Sequence, residues 1–154
     1  MSRRSPGDAA PDFSLETDAG ETLSSEDLRG KRIVLYFYPK ADTSGCTTQA
    51  CDFTAAADDF DAAGLRVIGV SPDPVAKLAK FRDKHDLGIT LLSDPEHALC
   101  EAYGVWVEKK MYGNTYMGVE RSTFVIDRDG VIESAMYKVR PKGHAAAVLE
   151  AASG

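Results

Sequence analysis

Nowhere does this sequence hold an apolar run near the roughly 18 residues that a membrane-spanning helix needs; IVLYFY, at 33–38, stops after six. Basic residues are in short supply as well. Eighteen Lys and Arg against 24 Asp and Glu leave a net charge of −6 and a pI near 5.0. Nucleic acids and anionic membranes are bound largely through positive charge, so neither is expected as a partner. The pairs Arg3-Arg4 and Lys109-Lys110 are too small to reverse that balance. Cysteine is scarce and odd in number, at three, which does not suit the paired framework of a small secreted domain. No apolar segment follows Arg3-Arg4 in MSRRSPGDAAPDF, so no secretory signal is read and a cytoplasmic location is expected. His85, His97 and His144 lack metal-ligand spacing; they read as solvated helix residues, and no metal or other cofactor is expected. What is present is ordinary: 154 residues, 44% hydrophobic and 27% charged. That is enough for one domain with its own core, taken as 1–154 with residues 1–11 as a polar tail.

Along the chain, FSLET (13–17) and the segment after DAGE read as a strand, turn and return, and SSEDLRG (24–30) as one capped helical turn. The continuous apolar runs IVLYFY (33–38), LRVIGVS (65–71) and STFVID (122–127) read as strands buried on both faces. Helices are expected at roughly 46–63, 74–85 and 95–103, with a closing hairpin turned at Asp129-Gly130 and a final helix in KGHAAAVLEAAS. EKKMY reads as a loop, a candidate surface for a reductant, and Tyr103 and Trp106 as packing residues. Strands alternating with helices predict an α/β sandwich with helices on both sheet faces. In such folds the loops at the carboxyl ends of strands carry chemistry. PKADTSGC lies in such a loop.

That loop leads to two cysteines, Cys46 and Cys51. Thr43 or Ser44 can cap a helix, which puts Cys46 in its first turn, where free N–H groups and the helix dipole favour an anion. A hundredfold shift toward thiolate needs about 2.7 kcal/mol. A helix terminus supplies only ~0.3–1 kcal/mol and at best ~2, so a cation from elsewhere is required. Five residues apart in a helix, two Cα atoms stand about 8–9 Å from each other, beyond the roughly 7 Å limit for a disulfide. A Cys46–Cys51 bond therefore demands that the helix unwind. Spacing alone leaves open a redox pair, two small buried hydrophobes, or, less readily, a metal site.

The pattern P-x-x-x-T-x-x-C, present as Pro39, Thr43 and Cys46, resembles the peroxiredoxin motif. With Cys51, the stretch YFYPKADTSGCTTQACDF is similar to the peroxiredoxin Q, or bacterioferritin comigratory protein, subfamily. The likeness extends through PGDAAPDFSL, LRVIGVSPD, LLSDPEHALCEAYGVW, EKKMYGNTYMGVERSTFVID and KVRPKGHAAAVLE. It implies a thioredoxin-like fold, a central mixed sheet flanked by helices with an N-terminal β-hairpin. It implies thiol-dependent reduction of hydrogen peroxide and organic hydroperoxides, with thioredoxin or a similar dithiol as reductant, and a monomer. By the same resemblance Cys46 is the peroxidatic cysteine, and Thr43 the hydroxyl that holds peroxide and thiolate together. Pro39 shields the site, Arg121 is the required cation, and Cys51 is the resolving cysteine of an intramolecular disulfide. Ser44 departs from the family, which often has proline there.

Two rival readings remain in view: a thioredoxin-type thiol–disulfide oxidoreductase, and a redox sensor or holdase without turnover. Against the first, C-x4-C replaces the C-x-x-C that puts both sulfurs in bonding range. Cys100, in DPEHALCEAYG, is expected to be a buried or half-buried helix residue, with a role as an alternative thiol held open.

Overall fold

A computed structural model describes residues 3–153. The chain opens with strands β1 (Ser14–Thr17) and β2 (Thr22–Ser24), a 3-10 turn (Ser25–Leu28) and β3 (Arg32–Phe37). Helices α1 (Ser44–Ala55) and α2 (Ala57–Ala62) lead to β4 (Leu65–Ser71), α3 (Val75–His85), β5 (Thr90–Ser93) and α4 (Ala98–Ala102). Then come β6 (Trp106–Met111), β7 (Asn114–Val119), β8 (Ser122–Ile126), β9 (Ile132–Met136) and α5 (His144–Ser153). Seven strands form one mixed sheet in the order β2-β1-β5-β4-β3-β8-β9. Its centre is parallel, β3 on β4 and β4 on β5, and β8 runs antiparallel to β3.

The three apolar runs occupy the middle of this sheet, which explains why they lack alternation. Val34 and Tyr36 face one layer, with Ala50, Phe53, Phe60, Leu78, Phe81 and Val148 from α1, α2, α3 and α5. Ile33, Leu35 and Phe37 face the other, with Leu28, Leu99, Cys100 and Tyr103. Both sheet faces are thus covered, as the strand pattern requires. Tyr36 lies across β4 at Gly69, where an added Cβ would stand 2.8 Å from the ring. It stacks on Phe53 at 4.6 Å between centroids, fastening α1 to the sheet.

Four features depart from the sequence reading. The helix expected at 46–63 begins at Ser44 and bends at Ala56 into two. Across that break the rings of Phe53 and Phe60 meet at 5.7 Å in one core. The EKKMY segment is not a loop. Residues 108–111 lie in β6, which pairs with β7 as a separate two-stranded sheet, and Tyr112 opens the turn. Its turn, Tyr112-Gly113, holds both residues at positive φ (52° and 80°), as a tight hairpin requires. Tyrosine at such a position gives no turn signal, and the strands are too exposed to alternate. Strand β5, TLLS, was not anticipated; it is short and buried and pairs with both β4 and β1. Finally, the segment taken as a polar tail is tied to β9. Gly7 N–H donates to the Ile132 carbonyl (2.8 Å) and Ile132 N–H to the Asp8 carbonyl (2.9 Å). Residues 1 and 2 of that segment lie outside the described residues.

Candidate active site

Strand β3 ends beside β4, and Pro39, half-buried, carries the chain off the sheet into the loop before α1. Ala41 N–H donates to Asp73 Oδ2 (2.7 Å), which also accepts from the Ser71 hydroxyl (2.8 Å), so the loop is anchored to the end of β4. Asp42 takes a positive φ of 62° and is held by Lys84 Nζ (2.9 Å) and His85 Nε2 (2.8 Å) of α3. Thr43 is the N-cap, in extended conformation, and its hydroxyl donates to the Lys40 carbonyl at 2.7 Å. Cys46 follows as the third residue of α1, 1% exposed and with a free thiol.

The cation comes from the joint between β7 and β8. Arg121 directs Nη2 at Cys46 Sγ (3.4 Å) and Nη1 at Gln49 Oε1 (2.7 Å). A planar fork serves both partners at once, which a lysine cannot do. Gln49 is fully buried one turn after Cys46, and its Nε2 has no hydrogen-bond partner among the described residues. Glycine at position 45 leaves the guanidinium room. A Cβ there would lie 3.1 Å from Arg121 Nη2 and 3.2 Å from Pro141 Cγ, so any side chain would push on the guanidinium. Lys109 of β6 belongs to the same electrostatic neighbourhood. Burial, and then Arg121, push its ammonium below the usual lysine range, while Cys46 and Glu120 oppose the shift.

Gln49, Gly45, Lys109 and Pro141 were not anticipated from the sequence. Only Gln49, one turn from Cys46 on the same helix, left a local signal.

The remaining thiols are separated by the sheet. Cys51, half-buried, packs against the core layer that contains Cys46. Cys100 is fully buried in the opposite layer, and burial together with Asp94 pushes its thiol far up. Residues 46–51 are helical, with all three cysteines free, so Cys46 and Cys51 keep the separation that a helix imposes.

The histidines depart from expectation, since none is a freely solvated residue. His97 stacks on Trp106 at 4.0 Å, His85 meets Asp42, and His144, 7% exposed, shares a 2.7 Å hydrogen bond with Thr123. Burial and then Arg121 push His144 toward its neutral form. The unfolded chain then binds the extra proton first, so stability should fall as pH drops through about 6.5, the ordinary histidine value. Urea unfolding at pH 7.5 and 5.5 should show that loss, and His144→Asn should flatten it. Among the described residues no three His, Cys, Asp or Glu side chains converge as a metal site would need, and no helix is long and apolar enough to cross a membrane.

Residues 6–135 match the model of the AhpC/TSA family. The chain is 50% identical over 144 residues to peroxiredoxin Bcp of Bacillus subtilis, covering 94% of this chain and 92% of that one. It is 46% identical over 143 residues to peroxiredoxin Bcp of Escherichia coli, covering 93% and 92%. Among solved structures, the bacterioferritin comigratory protein of Xanthomonas campestris superposes with a TM-score of 0.88 at 39% identity, covering 97% of this chain and 95% of that one. With a helix-start cysteine facing an arginine on a thioredoxin-like scaffold, and with relatives alike over nearly their whole length, the chain belongs to the AhpC/TSA family, as a peroxiredoxin of the Bcp or Q type.

Proposed function

We propose that this protein reduces hydrogen peroxide and organic hydroperoxides with Cys46 as the attacking thiolate and Cys51 as the resolving thiol. The observation that carries this reading is the Arg121 guanidinium 3.4 Å from Cys46 Sγ at a helix start. A guanidinium and a helix N-terminus then face one sulfur. The Xanthomonas campestris relative has alkyl peroxide reduction activity, which agrees with the organic part of the substrate range.

In the first step the Cys46 sulfur attacks one peroxide oxygen. An S–O bond forms, the O–O bond breaks, and the departing alkoxide or hydroxide takes up a proton, leaving a sulfenic acid. Charge develops on both oxygens, and we assign its stabilisation to Arg121 and the N–H groups of the first turn; the Thr43 hydroxyl joins them once it gives up its 2.7 Å bond to the Lys40 carbonyl. Pro39 is assigned the part of limiting water access to the loop. In the second step the Cys51 thiol gives up its proton and its sulfur attacks the sulfenic sulfur; an S–S bond forms, the S–O bond breaks, and the hydroxyl takes up a proton and departs as water. Helix α1 must unwind for this. Phe53, stacked on Tyr36, gives the opening a natural boundary, because the turns carrying residues 44–51 can melt while that ring stays docked. Thioredoxin or a similar dithiol then reduces the disulfide. We assign the protein to the cytoplasm, where thiols are kept reduced, and to a monomeric state, which sedimentation reads directly.

Steady-state turnover with a dithiol reductant tests the reading. A sensor would stop after one equivalent of peroxide, and a thioredoxin-type oxidoreductase would reduce insulin with no peroxide present. Cys51→Ser should keep single-turnover oxidation of Cys46 but lose thioredoxin-driven turnover by about a hundredfold or more. Cys100→Ser should change neither, because the sheet stands between that thiol and the site. Normal turnover in Cys51→Ser would overturn the resolving assignment.

A further inference from the structure

The chain carries net negative charge, yet four of its nine lysines line one groove. Lys77, Lys80 and Lys84 of α3 stand three and four residues apart, so they share one helical face. Lys40 approaches from the loop before α1, and Phe81 forms the floor. Asp42 is the single carboxylate lining the groove, and Lys84 and His85 already engage it. Lys77 and Lys80 are exposed, and among the described residues neither forms an ion pair, so both charges stay uncompensated. The groove's edge, Lys40 to Asp42, runs directly into Thr43 and the first turn that holds Cys46.

We propose that this lysine groove is the docking surface for an acidic protein dithiol that reduces the enzyme. The proposal rests on the peroxidase reading above and names the partner of the same site. Exposed lysines on long stems make poor pockets for a small anion, but they suit long-range attraction between protein surfaces, which speeds encounter and fixes orientation. The place is right as well, since a partner seated against α3 and the 40–42 loop lies beside the segment that must open to form the Cys46–Cys51 disulfide. From there a partner thiolate attacks one sulfur of that disulfide and expels the other as thiolate. The partner's second thiol then closes its own disulfide, so two electrons pass to this chain and both its cysteines return reduced. The four lysines take no part in that exchange.

The double variant Lys77→Glu/Lys80→Glu tests the surface and leaves Asp42, Lys84 and Lys40 intact. With a thioredoxin of net negative charge as reductant, kcat/KM for the reductant should fall about tenfold or more, and the steep salt dependence of the wild type should flatten. Lys77→Gln/Lys80→Gln should fall in between. With uncharged dithiothreitol, and in the single-turnover oxidation of Cys46, both variants should match the wild type. Unchanged kcat/KM with the acidic protein would overturn the proposal, and so would an equal loss with dithiothreitol. Failure of the peroxidase reading looks different, because the wild type itself would not turn over with dithiothreitol.

Discussion

Cys46→Ser should abolish peroxide consumption, a loss of at least about 10⁴-fold, the scale seen when a catalytic nucleophile is removed. The substitution is nearly isosteric, so the near-complete burial of the site and the approach of Arg121 are preserved. Serine is also acceptable at a helix start. What disappears is the chemistry, because a hydroxyl stays protonated beside the same guanidinium and oxygen has no counterpart to the sulfenic acid. Circular dichroism should be unchanged, and mass spectrometry after peroxide should find no added oxygen at position 46. Consumption at the wild-type rate would move the nucleophile to another thiol.

Arg121→Met should slow the oxidation of Cys46 by ~10²–10³-fold, the usual effect of deleting one preorganised donor to a developing oxyanion. It also carries a structural cost. Gln49 Oε1 is buried and takes its hydrogen bond from Arg121 Nη1 (2.7 Å), so the substitution leaves a buried acceptor unpaired. That should reduce stability by about 1–3 kcal/mol. Arg121→Lys separates the two effects, since an ammonium supplies the charge from a single nitrogen and cannot span Cys46 and Gln49 as Nη2 and Nη1 do. It should recover part of the rate and little of the stability. Stopped-flow oxidation and urea unfolding on the same samples read both quantities. An Arg121→Met variant that oxidises at the wild-type rate would remove arginine from the mechanism.

Much of the frame was legible in the chain. The runs at 33–38, 65–71 and 122–127 became β3, β4 and β8 within a residue at most ends, because strands buried on both faces must be continuously apolar. Cys46 at a helix start could be read because helix-start signals are local: Thr43 stands at the N-cap position, although its hydroxyl turns back to the Lys40 carbonyl and does not cap the helix. The hairpin β6–β7 was not legible. Its residues are mostly exposed, so alternation is lost, and of the two positive-φ turn positions only the second holds glycine while the first holds tyrosine, which weakens the turn signal. His144 read as solvated because KGHAAAVLEAAS gives no hint that Thr123, 21 residues earlier, would receive it.

By itself, then, the sequence determined a cysteine at a helix start and a five-residue spacing to a second one that forbids a disulfide until that helix opens. These follow from bond lengths, helical rise and capping, which act over a few residues. The fold decided which guanidinium reaches Cys46 from 75 positions away, that Gln49 steadies it, that the sheet keeps Cys100 apart, and that four lysines gather beside the loop. Those relations depend on strand order, because only the placing of β8 against β3 brings the joint at Arg121 over the start of α1, and no local pattern encodes that distance.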